Sequence, residues 1–191
     1  AAQHHTAGRL PQARKIYEQI LQSDPHQPIA LHFLGLIAHQ VGRSNIAVSL
    51  ISKALAINPE YAEAHNTFGN VLNNLGRPDD AVDSFGKALA LKPDYAEAHN
   101  NLGIALQALS KLDDAVASFR KAVDIKPDYA EAHNNLGIAL RALSKLDDAV
   151  ASYRKALAIK PDYEEAYNNL GIALHKLGKL DEALASYRKS L

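Results

Sequence analysis

Three histidines at a fixed spacing are the first candidates for chemistry in this sequence. His65, His99 and His133 are separated by 34 residues, so each is expected about 8–10 Å from the next if their helices pack at the ordinary distance. A zinc ion needs its nitrogen ligands about 2 Å away, so one ion cannot bridge two of these rings. We therefore predict no metal site.

Pairs of aspartates recur at the same spacing and are the candidates for catalytic carboxylates. The pairs are Asp79-Asp80, Asp113-Asp114 and Asp147-Asp148. Each pair opens a predicted helix, where the helix dipole favours negative charge. Catalysis would need a convergent partner and a pocket, and the sequence indicates neither. We predict no catalytic residue in this chain, no enzyme activity and no cofactor.

Amide side chains form a third periodic set, arranged in rows along one side of a predicted helix. One row contains Asn66, Asn100, Asn134 and Asn168. A second contains Asn101, Asn135 and Asn169, with Thr67 at the same position. A third contains Asn70, Ile104, Ile138 and Ile172, and Gln107, Arg141 and Lys176 lie a few residues later on the same helices. All of these except Thr67 and Lys176 are predicted to contact a bound peptide.

The chemistry of these rows suits an extended peptide. An amide side chain offers one acceptor and two donors, so a row of them could pair with a peptide backbone without reading its side chains. An extended chain advances about 3.3 Å per residue, so a repeat step of about 10 Å matches about three peptide residues. The isoleucines could hold apolar side chains of that peptide. The alternative is a polar lining with no binding role.

The balance of charge argues against nucleic acids and membranes as partners. The chain has 21 Lys and Arg and 21 Asp and Glu, so it lacks a basic field that would neutralise phosphates. It also lacks a polybasic run or a long apolar stretch. The absence of cysteine excludes disulfides and thiolate chemistry. Without a methionine or a visible signal peptide, we expect a piece of a longer protein, with the cytoplasm favoured as its location.

One 34-residue unit accounts for the whole sequence. Residues 96–129 and 130–163 differ at only four pairs of positions: Gln107/Arg141, Phe119/Tyr153, Val123/Leu157 and Asp124/Ala158. Looser copies occupy residues 28–61 and 62–95, residues 1–27 form a partial unit and residues 164–191 an incomplete last one. Such a period is typical of an array in which each unit buries its apolar face against its neighbours. We predict a single array over residues 1–191.

Each unit is predicted to contain two helices, A and B. In residues 96–129, apolar residues recur at spacings of three and four over residues 96–109 and again over about 112–124. The stretch from Asp94 to Glu97 has the pattern of a capping box, and Pro127 ends the unit. The turn between the helices is expected to hold a left-handed residue, at Gly8, Gly42, Gly76 and Gly178. Ser110 and Ser144 replace glycine in the middle units, with either modest strain or a slightly different turn. Glycines inside helix A imply close packing against helix B, at Gly35, Gly69, Gly103, Gly137 and Gly171.

This pattern resembles the tetratricopeptide repeat family. Units read A-x-x-x-L-G, then an alanine in helix B, an aromatic residue four positions later, an alanine three further on and a proline five after that. The resemblance implies an all-α, right-handed superhelical solenoid of helix-turn-helix repeats, with helix A lining the concave groove. The sequence departs from the family where a bulky aromatic residue is expected in helix A, at Leu31, His65, His99, His133 and Tyr167.

The asparagine before the Leu-Gly pair resembles the asparagine ladder of O-GlcNAc transferases, whose repeat region holds acceptor proteins along its groove. Asn101, Asn135 and Asn169 match that position, whereas Phe33 and Thr67 do not. Co-chaperone repeats instead clamp a carboxylate with lysines and arginines. This sequence has asparagine, glutamate or isoleucine at those positions, which disfavours that class.

Three functions stay open at this point. The chain could be a scaffold that binds an extended segment of a partner protein along the groove. It could be the substrate-recruiting arm of a larger glycosyltransferase of the O-GlcNAc type. It could also be a self-assembling array, because the last helix B, with Leu184, Tyr187 and Leu191, is expected to expose an apolar patch through which isolated copies associate.

Overall fold

The computed structural model describes residues 9–190, and all of their regular structure is α-helical. This confirms the all-α prediction. The chain divides into two compact units, Ala1–Pro93 and Asp94–Leu191. The first unit contains α1 (Leu10–Ser23), α2 (Pro28–Gln40), α3 (Ser44–Ile57), α4 (Ala62–Asn74) and α5 (Pro78–Leu91). The second contains α6 (Ala96–Ala108), α7 (Leu112–Ile125), α8 (Ala130–Ala142), α9 (Leu146–Ile159), α10 (Glu164–Lys176) and α11 (Leu180–Lys189).

Helices pack in the order in which they follow one another along the chain. In the first unit α2 packs on α3 and α4 on α5, and in the second unit α6, α8 and α10 pack on α7, α9 and α11. These pairs are the predicted A and B helices. Within each unit the A helices of successive repeats also touch, α2 with α4, α6 with α8 and α8 with α10. Each unit therefore has a side built from neighbouring A helices.

The turn between helices A and B has the predicted left-handed residue. Gly42, Gly76 and Gly178 have φ values of 77°, 72° and 76°. Ser110 and Ser144 adopt the same conformation, with φ values of 59° and 60°, although a side chain makes it unfavourable by about 1–2 kcal/mol. Gly8 lies outside the described residues. The tight turn lets each B helix fold back on its A helix.

The predicted capping box is wrong at the start of the A helices. The N-cap residues are Tyr95, Tyr129 and Tyr163, and their side chains make no capping hydrogen bond. Each helix begins one residue later than the box requires, so the aspartate lies before the cap. In this arrangement Glu97 has a different partner, because its carboxylate lies 3.6 Å from Nζ of Lys126.

The aspartate pairs lie at the starts of the B helices, as predicted. Both members of each pair fall in the first turn of α5, α7 or α9, where negative charge interacts favourably with the helix dipole. The structure thus agrees with a role in starting these helices.

A missing side chain in helix A makes room for a ring from helix B. A Cβ added to Gly69 would lie 2.6 Å from the Phe85 ring, and one added to Gly103 would lie 2.6 Å from the Phe119 ring. Gly137 and Gly171 stand in the same relation to tyrosine rings of α9 and α11. The glycine pattern therefore reflects close A–B packing, as predicted; the group that fills the space is an aromatic ring in four repeats and the Ile51 side chain opposite Gly35.

Replacing Gly69 with alanine tests this contact. Alanine favours a helix interior over glycine by about 1 kcal/mol, but here its methyl group would overlap the buried Phe85 ring, and overpacking costs about 1–3 kcal/mol. We expect Gly69→Ala to lower the free energy of unfolding in urea.

Gly86→Ala is the matched control, because nothing lies within 4 Å of a Cβ added at Gly86. It should raise the free energy of unfolding by about 0.5–1 kcal/mol. Equal stabilisation by both substitutions would contradict the packing argument.

Candidate peptide-binding face

Three of the four first-row asparagines are buried, which differs from their expected position on an open face. Asn134 is fully buried, Asn100 is 4% exposed and Asn66, in the first unit, is 8% exposed. Asn168 is exposed. The helical wheel of a single helix A placed these residues away from its own apolar side, but it could not show that the neighbouring A helix covers them.

The two rows of asparagines bind each other between neighbouring repeats. Nδ2 of Asn135 donates to Oδ1 of Asn100 at 3.0 Å, and Nδ2 of Asn169 donates to Oδ1 of Asn134 at 3.1 Å. We call these two hydrogen bonds the asparagine latch. Each links an A helix to the A helix of the next repeat, so the amides satisfy one another and stabilise the stack.

A histidine and a threonine occupy the equivalent positions in the first unit. Nε2 of His32 lies 2.9 Å from Oγ1 of Thr67, and the Thr67 hydroxyl donates to the Glu63 carbonyl. Thr67 must therefore accept from His32, which leaves Nδ1 of His32 as an acceptor for the Tyr61 hydroxyl at 3.0 Å. Thr67 fails to match the asparagine pattern, yet it has the same structural role.

Asn134 accepts in the latch through Oδ1 and has further partners at its amide nitrogen. Nδ2 lies 3.2 Å from Oε1 of Glu165 and 3.4 Å from the Tyr163 hydroxyl. Burial raises the pKa of Tyr163, the charges of Glu165 and Glu131 raise it further, and the hydrogen bond from Asn134 opposes them. The amide of Asn134 is thus fully used inside the protein and has none left for a ligand.

Several predicted contact residues remain accessible on the A-helix side. Ile104 is 38% exposed, and Ile138 and Ile172 are half-buried. Asn70, Asn101, Asn135, Gln107 and Arg141 are half-buried as well. We call Ile104, Ile138 and Ile172 the isoleucine stripe. The stripe lies within the second unit, at the same position of α6, α8 and α10.

One asparagine of the second row, Asn135, has an unused acceptor beside the isoleucine stripe. Asn135 uses Nδ2 in the asparagine latch, and within residues 9–190 no donor is recorded for its Oδ1 atom. Asn169, by contrast, is 7% exposed, and so offers little surface. Of the matched asparagines in the second unit, Asn135 combines accessibility with a free carbonyl oxygen.

Arg141 adds a positive charge to the A-helix side. It lies near the ring of Tyr153, which replaces Phe119 of the preceding repeat. Burial raises the pKa of Tyr153, and the nearby positive charge of Arg141 opposes this rise. Nε of Arg141 is buried although the residue as a whole is half-exposed. Two of the four differences between the near-identical repeats, at Gln107/Arg141 and Phe119/Tyr153, therefore meet at one contact.

Two of the three periodic histidines, His65 and His133, bind the closing proline of the preceding repeat. Nε2 of His65 lies 2.8 Å from the Pro59 carbonyl oxygen, and Nε2 of His133 lies 3.0 Å from that of Pro127. Burial lowers the pKa of His133; the bond to Pro127 raises it and Lys155 lowers it. Across residues 9–190, no three His, Cys, Asp or Glu side chains gather as the ligands of a metal ion would.

The last helix, α11, has an exposed apolar side. Leu180 is 61% exposed and Leu184 is 52% exposed, while Tyr187 is half-buried. Leu191 lies outside the described residues. Over the same described part of the chain, no helix has the length and apolar character needed to cross a bilayer.

The tyrosines before each A helix were not singled out from the sequence. Tyr61 and Tyr163 bind the buried polar residue of the preceding A helix, and Lys126 and Lys160 lie over the rings of Tyr129 and Tyr163 at 4.9 and 4.8 Å. The signal was available, because tyrosine recurs every 34 residues at positions 61, 95, 129 and 163.

Comparison with known families agrees with this architecture. A tetratricopeptide repeat profile matches residues 6–62, 38–94 and 66–130. Further repeat profiles of the same kind match residues 118–151, 137–178 and 166–191. The chain therefore belongs to the tetratricopeptide repeat (TPR) family. Among curated proteins, none matches the sequence significantly.

Solved structures show the same fold. MamA is 28% identical, with a TM-score of 0.76 over 82% of this chain and 92% of MamA. A thermophilic TPR protein from Thermus thermophilus is 29% identical, with a TM-score of 0.71 over 86% of this chain and 90% of that protein. YrrB, described as a TPR protein with an unusual peptide-binding site, is 22% identical, with a TM-score of 0.73 over 91% and 90% of the two chains.

Removing one member of the asparagine latch should destabilise the protein. Asn134→Ala deletes the acceptor of Asn169 and leaves that buried amide unsatisfied, which costs about 1–3 kcal/mol. Asn168→Ala changes the same residue type at an exposed position and should stay within about 0.5 kcal/mol. Urea unfolding measures both. Similar losses for the two variants would contradict a latch role for Asn134.

The lowered pKa of His133 predicts a dependence of stability on pH. The unfolded chain protonates this residue near pH 6.5, whereas the folded protein holds it neutral to lower pH. The unfolded state then binds more protons, so the free energy of unfolding falls as the pH drops from about 6.5 through the folded pKa. Above about pH 6.5, the contribution of the neutral His133 ring to the free energy of unfolding is fully present.

His133→Gln should remove this part of the pH dependence. Denaturant unfolding of both proteins, at pH values on either side of 6.5, measures the slope. Stability that declines equally steeply with acid in the variant would show that His133 is not its source.

Proposed function

We propose that this chain is a protein-interaction scaffold whose second unit binds an extended segment of a partner protein along its A helices. The observation that carries the proposal is the isoleucine stripe. Ile104, Ile138 and Ile172 recur at one helical position of adjacent A helices and remain partly exposed. An apolar row on a side of otherwise polar residues is a surface on which apolar side chains of a partner gain burial.

The groups beside the stripe provide polar contacts for such a segment. Oδ1 of Asn135 can accept from a backbone N–H of the segment, and Gln107 can both donate and accept. Arg141 can bind an acidic side chain or a backbone carbonyl. A segment that advances about three residues per repeat would place one apolar side chain near each isoleucine.

This assignment changes the relative weight of the predicted contact residues. The main role of three of these asparagines is to join neighbouring repeats, since their amides are buried or engaged in the asparagine latch: Asn100, Asn134 and Asn169. A continuous amide ladder is therefore not the main binding feature. The isoleucine stripe becomes the principal contact, with Asn101, Asn135, Gln107 and Arg141 beside it. Asn168 is a marginal contact, and Asn66 and Asn70 belong to the first unit and not to this face.

Family membership supports a binding role in general terms. YrrB, which shares the fold, is described as having an unusual peptide-binding site, and a side of neighbouring A helices is present here as well. The alternative of a recruiting arm for a glycosyltransferase depended on Asn101, Asn135 and Asn169. Because two of these donate the latch hydrogen bonds, their presence has a structural explanation that does not require that class.

A peptide selection tests the scaffold function. Peptides of about nine residues, three for each of three repeats, would be displayed as a random library and selected on the wild-type chain. The affinity of an enriched peptide would then be measured by fluorescence anisotropy. We expect the double variant Ile104→Asn, Ile138→Asn to bind it at least fivefold more weakly, because two apolar contacts are lost. Asparagine is compatible with the fold at this position, since the first unit has it in Asn70.

The control changes exposed leucines that do not lie on an A helix. Leu180→Asn, Leu184→Asn removes a comparable apolar surface from α11 and should leave the affinity unchanged. Circular dichroism would verify that all variants keep their helix content. Failure to enrich any peptide, or equal weakening by both double variants, would refute the proposed face.

A further inference from the structure

The first unit contains a cleft on its B-helix side. It lies between the C-terminal halves of α3 and α5, with α4 as its floor, and has a volume of about 590 Å³. Its walls include Leu55, Phe68 and Leu91. Small-molecule sites commonly have volumes of about 300–1,000 Å³ and mostly apolar walls with a few polar groups, and this cleft has both properties.

Local sequence explains why the cleft is open and preformed. Ala56 and Ala90 line it from the two facing B helices, where larger side chains would close the gap. At its floor, the His65 ring is fixed because Nε2 lies 2.8 Å from the Pro59 carbonyl oxygen. The floor therefore does not need to rearrange when a ligand enters.

The charge of the cleft is unbalanced. Among its described lining residues, Lys87 is the only Lys, Arg, Asp or Glu side chain. Within residues 9–190 Lys87 forms none of the recorded ion pairs. An apolar cleft with one unpaired ammonium at its wall is complementary to a ligand that combines an apolar body with a single negative charge.

A second cleft has both a positive and a negative side chain in its lining. It lies 68 residues further along, in the second unit, with His133 and Lys155 at the positions of His65 and Lys87. Its volume is about 470 Å³, and Asp124 replaces Ala56. The second cleft thus contains its own carboxylate, whereas the first lacks one. Position 124 is also one of the few at which the two nearly identical repeats differ.

We propose that the cleft of the first unit binds a medium-chain aliphatic carboxylate. The aliphatic chain lies against Leu55, Phe68 and Leu91, and the carboxylate pairs with Nζ of Lys87. The site is independent of the isoleucine stripe, so a ligand here and a peptide on the A helices can be tested separately.

Titration of the isotope-labelled full chain with decanoate, followed by NMR, tests this site. The uncharged probe is decanol, which has the same tail without the carboxylate. In the wild-type protein we expect decanoate to bind one site and to shift the methyl and ring signals of Leu55, Phe68 and Leu91. Shifts spread over other apolar surfaces instead would overturn the proposal.

Two substitutions separate the charge contribution from the apolar contribution. Lys87→Gln removes the cation, and Ala56→Asp places a carboxylate where the second cleft has Asp124. Each should weaken decanoate binding about 1.5- to fivefold, the range expected for a partly exposed ion pair, and leave decanol binding unchanged. Lys53→Gln, at another exposed lysine of α3, is the control and should change neither.

Unchanged decanoate affinity in Lys87→Gln would overturn the proposal. So would an equal loss of decanoate and decanol affinity, since that result would mean that the substitutions alter the cleft and not its charge. Because Ala56 and Lys87 are both exposed, neither substitution should prevent folding, and circular dichroism would verify this.

Discussion

The contact between a glycine of helix A and a large side chain of helix B, an aromatic ring in every repeat after Ile51 opposite Gly35, is the constraint on which each repeat depends. Phe85, Phe119 and Tyr153 are almost completely buried, and each occupies space that any side chain on the facing glycine would take. This contact fixes how closely the two helices approach. It therefore also fixes which side of helix A faces its own partner and which side is left for the next repeat.

Stacking and binding compete for the side of helix A that remains. The first-row amides Asn100 and Asn134 are covered by the neighbouring A helix and accept hydrogen bonds from the second row. An unpaired amide at such a position would cost more than its hydrogen bond contributes, so pairing between repeats takes precedence over binding. What is left for a ligand is the next stripe around the helix, where the isoleucines lie.

Much of the fold could be predicted from the sequence because the repeat presents the same local pattern several times. Helix bounds in the central repeat agree to within one residue, and the serines that replace glycine adopt the left-handed conformation of the glycines. The capping box was wrong, because a capping pattern one residue out of position resembles a real one. The burial of Asn100 and Asn134 could not be predicted, because it comes from residues about 34 positions away that a single helical wheel omits.

The spacing of the latch has a consequence for how such a chain can change in length. Donor and acceptor are 35 positions apart in both cases, and each pair joins one repeat only to the next. Gain or loss of a whole 34-residue segment by unequal recombination would therefore bring a new asparagine opposite each orphaned one. The genetic event that lengthens the protein also restores its hydrogen bonding, so array length is free to vary without a compensating mutation.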